Sequence, residues 1–278
     1  MENKILTDDE LLERIDAIGI PFGRHGYDPY GVDRRELLKN FKRLNWMTQN
    51  YFKLRTHGTH NIPAKGRGML VGNHSGGFGL DGGMVIASAF FDLNPPRLAQ
   101  GMADKFIGNM PFMSALSNGL GQFTGLPEHA ERLLEEDRLL MVFPEGHKGT
   151  AKLYKERDTL VNFGSGFLRL ALQHKAPIIP FTFVGGGEAV PTVMNLYKLG
   201  KAMGVPYVPI TPWIVALPLP VRMELIFSEP MYFDGNGNEP DEVIEGWVQQ
   251  VKERIAGLLR QGRAVREGHL HPEEIRWD

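Results

Sequence analysis

The stretch that most constrains the fold of this chain, Gly68 to Gly83, reads GMLVGNHSGGFGLDGG. It opens with an apolar run, residues 69–71, which has the pattern of a buried strand. The run leads to His74 and a glycine-dense turn, and an apolar segment typical of a buried helix follows at Met84–Phe91. Because ligands of α/β proteins gather at the carboxyl ends of strands, the pattern predicts an active site at this turn.

Short apolar runs alternate with helical segments through most of the chain, a pattern typical of an α/β protein. We therefore predict a mixed, largely parallel sheet flanked by helices. Strands are expected at residues 69–71, 97–102, 121–124, 138–143, 176–184 and 222–227, and helices at 84–91, 128–137, 161–174 and 241–261. The proline-rich residues 205–220 are expected to be irregular. The last helix is predicted to bury a stripe of Val243, Trp247, Val251, Ile255 and Leu258.

Two predicted helices precede the sheet and form an N-terminal cap. The first covers Thr7–Ile18 and begins with a capping box between Thr7 and Glu10. The second, Asp33–Leu54, carries basic residues opposite large apolar ones, so it either rests on an anionic membrane surface or packs on the protein. The expected division is residues 1–60 for the cap, 61–262 for the α/β domain and 263–278 for a polar, loosely held tail, all within one domain.

The composition excludes several classes of protein. The formal net charge is -2, whereas nucleic-acid-binding proteins usually have a basic excess, so we expect no nucleic-acid partner. The chain has no cysteine, which excludes disulfides and thiolate sites. Its N-terminal residues are acidic, unlike a signal peptide, and no apolar stretch reaches the ~20 residues that span a bilayer. We therefore expect a cytoplasmic protein that lies at most on the inner face of the membrane.

His74 and Asp81 are the first candidates for chemistry. A histidine acts as a general base when a carboxylate holds its tautomer and stabilises the imidazolium that forms. On a regular helix the two residues would lie ~10 Å apart, so they meet only if the glycine-rich segment between them loops back. Alternatively, Asp81 caps the following helix, a role that is compatible with pairing.

A second candidate block, Phe143–Lys148, reads FPEGHK and ends another apolar run. A charged cluster at the end of a buried strand is well placed to meet a polar or anionic substrate. The same pattern fits an ordinary strand-to-loop turn equally well, so the block alone does not decide between the two.

Together, the two blocks resemble those of the glycerolipid (lysophospholipid) acyltransferase family, in which a histidine block ends one strand and FPEG ends a later one. The resemblance extends through most of the chain. Gly58–Pro63 is similar to the run before the family's first block, and Ala176–Pro180 is similar to its fourth block. A soluble bacterial branch of the family has NHSGG as its first block, and this chain also resembles it at Tyr154–Phe167, Val184–Pro191 and Gly204–Pro209.

This resemblance implies acyl transfer from acyl-CoA or acyl carrier protein to a hydroxyl of a glycerolipid-type acceptor, such as lysophosphatidate. It implies that His74 removes the acceptor's proton, that Asp81 orients His74, and that no covalent acyl-enzyme, metal or cofactor takes part. The substrate-binding residues that it implies are Asn73, Ser75, Gly76, Phe143, Pro144, Glu145, Gly146, His147 and Lys148, with Glu145 and Gly146 shaping the acceptor site. The expected partners are the acyl donor, the lipid acceptor and a membrane surface.

The chain departs from the family pattern in two places. The family usually has four residues between the histidine and the aspartate, whereas this chain has six. The family's second block usually carries an arginine for the acceptor phosphate, but Gly119–Gly125 has none, and the Thr-Arg that usually follows FPEG is replaced by His-Lys. The remaining candidates to hold a phosphate are Lys148, as a point charge, and Lys152, Lys155 or Arg157.

Other interpretations are open. Gly77–Gly82 satisfies GxGxxG and Asp104 follows at the spacing of dinucleotide-binding oxidoreductases, but that function leaves His74 and FPEG unexplained. An acyl thioesterase would use water in place of the acceptor. A lipid-binding protein without catalysis is favoured by the longer His-to-Asp spacing. The acyl chain itself has two candidate surfaces, Phe106–Leu116 and Pro209–Leu219, each equally consistent with core.

Overall fold

The computed structural model of the chain describes residues 5–75, 79–103, 121–124, 127–213 and 218–277. The strands are β1 (Arg55–His57), β2 (Gly68–Gly72), β3 (Ala99–Ala103), β4 (Phe123–Thr124), β5 (Leu139–Val142), β6 (Ile178–Val184), β7 (Met194–Leu196), β8 (Val208–Ile210) and β9 (Glu224–Phe227). The helices are α1 (Asp8–Ala17), α2 (Arg34–Trp46), α3 (Leu80–Phe91), α4 (Pro127–Glu135), α5 (His147–Thr150), α6 (Gly166–Gln173), α7 (Gly186–Ala189), α8 (Tyr197–Ala202) and α9 (Asp241–Glu267). A π-helical turn, Met47–Tyr51, continues α2.

In the described part of the chain, seven strands form one sheet in the order β1-β9-β6-β2-β5-β3-β4. β2 lies at its centre, parallel to β6 on one side and to β5 on the other. β3 and β4 continue in the same direction, whereas β9 runs antiparallel to β6. The sheet is therefore mixed and largely parallel, as predicted. Because β2, β5 and β6 are parallel, the segments that follow them meet at one edge of the sheet.

The central strands are apolar because both faces of the sheet are covered, the usual condition of parallel strands. Every residue of β2 and β6 is buried. Leu70 and its neighbours on one face pack against α1, α2 and α3, while Met69 and Val71 on the other face pack against α4, α6 and α9. The flanking helices predicted from the sequence are thus confirmed.

The N-terminal helices dock on α3. The capping box is present at the start of α1, where the side chains of Thr7 and Glu10 each accept a hydrogen bond from the other residue's backbone N–H. In α2, the ring of Phe41 is fully buried and stacks on that of Phe90. The apolar stripe of α2 therefore packs on the protein, and Trp46 at its end is left 52% exposed. Within the described ranges, no helix is long and apolar enough to cross a membrane.

Two segments between the strands differ from prediction. The helix expected at residues 161–174 begins only at Gly166, because the backbone N–H of Val161 and that of Gly164 are bonded to the turn after β5. Within the proline-rich segment expected to be irregular, β8 pairs with β7 in an antiparallel hairpin.

The C-terminal residues are firmly packed, which contradicts the predicted loose tail. α9 continues to Glu267 and is closed by Gly268 in the left-handed conformation. Val265 and Ile275 are buried in one cluster, and the backbone carbonyl of Trp277 accepts a hydrogen bond from the backbone N–H of Glu229. The predicted stripe of α9 is also shifted at its start: Val243 is 40% exposed, and the buried residues are Ile244, Val248, Val251, Ile255 and Leu258.

We expect Ile275→Ala to lower the free energy of unfolding by about 2–4 kcal/mol, because it leaves a cavity in a packed cluster. Urea denaturation measures this loss. Val243→Ala, on the exposed side of α9, is the matched control and should change stability by no more than about 0.5 kcal/mol. Equal effects of the two substitutions would show that the C-terminal residues do not stabilise the fold.

Candidate active site

Asn73 fixes the point at which the chain leaves the sheet. Its side chain is fully buried, and its Nδ2 donates to the carbonyl oxygen of Phe183 over 3.0 Å. Its Oδ1 accepts hydrogen bonds from the backbone N–H of Phe183 and the hydroxyl of Thr182. The amide predicted to bind substrate is therefore engaged in joining the end of β2 to β6, directly before His74.

The structure brings His74 and Asp81 together. The distance between His74 Nδ1 and Asp81 Oδ2 is 2.5 Å, so the two side chains meet despite the extra residues between them in the sequence. Asp81 is fully buried and also accepts hydrogen bonds from the backbone N–H groups of Ser75 and Gly82. It lies in the first turn of α3, where the helix dipole stabilises a carboxylate. Asp81 therefore both pairs with His74 and lies at the start of α3.

The imidazole of His74 is held by Phe143 as well as by Asp81. Its ring stacks on Phe143 with centroids 4.3 Å apart, and Phe143 packs edge-on against Phe181. The His74 side chain is 18% exposed. Because an ionised carboxylate can only accept hydrogen bonds, Nδ1 carries the proton toward Asp81 and Nε2 keeps a free lone pair. This arrangement suits a general base.

Glu145 holds the backbone of His74. Its carboxylate is fully buried and accepts a hydrogen bond of 2.8 Å from the backbone N–H of His74. The same carboxylate forms an ion pair with Lys152 and accepts a hydrogen bond from the N–H of Val161. Glu145 was expected to contact the acceptor, but both of its oxygens are bonded to protein groups. Lys152, itself 5% exposed at the side chain, is likewise unavailable for a phosphate.

α5 lies directly against the catalytic candidate. A Cβ placed on Gly149 would stand 2.6 Å from His74 Cβ and 2.7 Å from Glu145 Cβ, so only glycine allows this approach. Gly146, before α5, has a φ of 55°. His147 and Lys148 are exposed at the start of the same helix.

The remaining candidates are distributed as follows. Ser75 is buried beside Asp81, and Pro144 accepts a hydrogen bond through its backbone carbonyl. Arg157 pairs with Glu188 and Asp158, whereas Lys155 is exposed. Gly76, Asp104, the Phe106–Leu116 segment and residues 119, 120 and 125 lie outside the described residues. In the described ranges, no group of three or more acidic or histidine side chains is arranged to hold a metal.

Tyr207 is a largely buried tyrosine that the motif analysis did not single out. Burial raises its pKa to about 12, a hydrogen bond with Thr150 acts in the opposite direction, and the charge of Asp81 adds to the rise. Its phenol is protonated at neutral pH, as that of an ordinary tyrosine is. The signal available in the sequence was its position in Gly204–Pro209, which resembles the bacterial branch.

Comparisons with known proteins identify the family of the chain. The acyltransferase family model matches residues 53–184. An uncharacterized protein of Mycobacterium tuberculosis is 31% identical over 248 residues, which cover 84% of this chain and 67% of that protein. A Gallus gallus protein described as a DGAT1/2-independent enzyme synthesizing storage lipids is 26% identical over 75% of this chain and 60% of its own length.

The crystal structure of the 1-acyl-sn-glycerophosphate (LPA) acyltransferase PlsC from Thermotoga maritima has the same fold. It matches with a TM-score of 0.56 at 17% identity, covering 83% of this chain and 79% of that one. The fold and these relatives define an acyltransferase. The chain belongs to the glycerolipid acyltransferase family, which confirms the resemblance seen in the sequence. The dinucleotide-binding alternative is set aside.

We expect Glu145→Gln to lower the free energy of unfolding by about 3–5 kcal/mol, because it leaves the charge of Lys152 buried without its partner. Urea denaturation measures the loss, and Glu145→Gln/Lys152→Met should recover part of it. Lys39→Met, which breaks the exposed pair with Glu36, is the control and should cost about 0.5 kcal/mol or less. A loss for Glu145→Gln no larger than the control's would contradict the anchoring role.

Proposed function

We propose that this chain is an O-acyltransferase that moves a fatty acyl group from acyl-CoA or acyl carrier protein to a hydroxyl of a glycerolipid-type acceptor. The observation that carries the proposal is the 2.5 Å contact between His74 Nδ1 and Asp81 Oδ2, which leaves Nε2 free to take a proton. Membership in the acyltransferase family supports the reaction class. We further propose a cytoplasmic enzyme that works at the membrane's inner face, since its acceptor is a lipid.

In the proposed reaction, His74 Nε2 takes the proton of the acceptor hydroxyl while the hydroxyl oxygen attacks the thioester carbonyl carbon. Asp81 keeps the proton on Nδ1 and stabilises the imidazolium that forms. Collapse of the tetrahedral intermediate breaks the carbon–sulfur bond, and the leaving thiolate takes the proton from Nε2. The acyl group passes directly to the acceptor oxygen, and no bond to the protein forms.

The surroundings of His74 favour this chemistry. Asp81 is fully buried, and the attraction between its carboxylate and an imidazolium is stronger there than in water. Phe143 covers one face of the imidazole ring and keeps it in place. Nε2 is therefore presented in one orientation, as a preorganised base requires.

For the acceptor, we propose a phosphate-bearing glycerolipid of the lysophosphatidate class, held through Lys148. This lysine is exposed and directly precedes Gly149, which lies against His74. Lys152 and Arg157 are engaged in ion pairs with protein carboxylates. The relatives point both ways, since one is described as synthesizing storage lipids and the other as acting on 1-acyl-sn-glycerophosphate.

We expect His74→Ala to lower acceptor-dependent thiol release from acyl-CoA or acyl carrier protein by about 10²–10⁴-fold, because the general base is lost. Asp81→Asn should also lose most of the rate, because the amide no longer stabilises the imidazolium. His269→Ala, a change at an exposed histidine, is the control and should keep the wild-type rate. Release that needs no acceptor would identify a thioesterase, and an unchanged rate in His74→Ala would refute the mechanism.

We expect Lys148→Ala to raise the KM for lysophosphatidate about tenfold or more, since a hydrogen bond to a charged group is lost. The KM for monoacylglycerol should stay the same, because that acceptor has no phosphate. Lys175→Ala, at an exposed lysine just before β6, is the matched control. The proposal would be contradicted if the wild-type enzyme preferred monoacylglycerol or diacylglycerol and Lys148→Ala had no effect. These results would indicate that the acceptor is a neutral lipid.

A further inference from the structure

The hairpin formed by β7, α8 and β8, residues 193–213, has an unusually apolar surface. Among the described residues, six of the large apolar side chains that are exposed lie in it: Val193, Met194, Tyr197, Leu199, Met203 and Trp213. Tyr197 and Met203, at 60% and 61% exposed, lie between the two strands. Clustered exposed apolar residues of this kind mark a surface that contacts another molecule or a membrane.

The charge of the same segment has one sign. Of the 278 residues of the chain, 33 are Asp or Glu, yet none lies between Glu188 and Glu224. The hairpin itself carries Lys198 and Lys201, both exposed in α8. The exposed surface of the hairpin therefore combines tyrosine, tryptophan and methionine side chains with positive charge and no negative charge.

The hairpin is attached next to the candidate active site. Asn195 Nδ2 donates to the carbonyl oxygen of Ala151 over 2.6 Å, directly after α5. Tyr207, from β8's edge of the hairpin, is hydrogen bonded with Thr150 and lies within the field of Asp81. A molecule that covers the hairpin therefore lies close to α5, which packs against His74.

We propose that this hairpin docks on the surface of a lipid bilayer that contains anionic lipids. Tyrosine and tryptophan favour the membrane interface, and lysines beside them are attracted to anionic headgroups. This placement rests on the proposed function in one respect: it explains how a lipid acceptor reaches His74. It differs from the membrane contact through α2 that the sequence left open, because the apolar stripe of α2 is buried in the protein. An acidic carrier protein fits the surface less well, because the exposed apolar side chains of the hairpin outnumber its lysines.

Vesicle sedimentation tests the proposal without requiring turnover. The full chain is mixed with vesicles of phosphatidylcholine alone or with about 30% phosphatidylglycerol, and binding should be stronger to the anionic vesicles. We expect Lys198→Glu/Lys201→Glu to lower the partition coefficient on anionic vesicles about tenfold or more. Tyr197→Ser/Met203→Ser should lower it comparably on both kinds of vesicle, because the buried apolar area is lost.

The matched controls lie beyond the opposite end of β6. Tyr232→Ser removes a tyrosine that is 76% exposed, and Lys175→Glu reverses an exposed lysine; both should bind as the wild type does. Thermal unfolding verifies that each variant is folded.

Hairpin variants that bind normally, while Trp46→Ser does not, would overturn the proposal in favour of α2. A wild-type chain that binds no vesicle, or that binds an acidic carrier protein instead, would also overturn it. Because only binding is measured, the two proposals can fail separately. A chain that docks through the hairpin but transfers no acyl group would support the membrane docking and contradict only the proposed function.

Discussion

The site depends on two buried carboxylates that hold His74 from opposite directions. Asp81 accepts hydrogen bonds from the imidazole Nδ1–H and from the next backbone N–H, that of Ser75. Glu145 accepts a hydrogen bond from the backbone N–H of His74 itself. One carboxylate therefore sets the ring's tautomer and the other sets the position of the chain. Burying two negative charges is costly unless each is paired and hydrogen bonded. The first turn of α3 and the ion pair with Lys152 supply that compensation.

Several backbone segments approach each other closely around His74. This close approach explains why glycines stand at positions where the sequence motif alone gives no reason for them. A Cβ on Gly72 would stand 2.3 Å from the Phe181 ring, which supports Phe143 and through it the imidazole. A Cβ on Gly186 would stand 2.8 Å from the carbonyl oxygen of Ser75. With Gly149 against His74, glycines thus let three neighbouring segments converge on the histidine loop. The orientation of the base results from packing as well as from its hydrogen bond.

Apolar patterning predicted the central strands, because strands covered on both faces, such as β2 and β6, are largely apolar. The β7–β8 hairpin lies on the surface and has no such pattern. The pair of His74 and Asp81 could be named from the sequence, but whether they meet depends on the glycine loop, which has no periodic signal. The role of Glu145 could not be predicted, because its partner Lys152 has no pattern that marks it and its partner Val161 resembled the start of a helix. The packed C-terminus was missed for a related reason: its buried contacts are made by isolated residues such as Ile275 among polar ones.

The chain has no arginine at the position where the family usually binds the acceptor phosphate, and its exposed positive charge lies elsewhere. Next to His74, the cation of Lys152 neutralises Glu145 and that of Arg157 pairs with Glu188, so both serve to build the site. The exposed lysines instead lie outward, at Lys148 on α5 and along the hairpin. A point charge at the surface selects an anionic headgroup less strictly than a forked guanidinium does. Under the proposed function and the proposed docking of the hairpin, selectivity for the acceptor then depends on how the surface around the site meets the membrane, in addition to the contacts within the site.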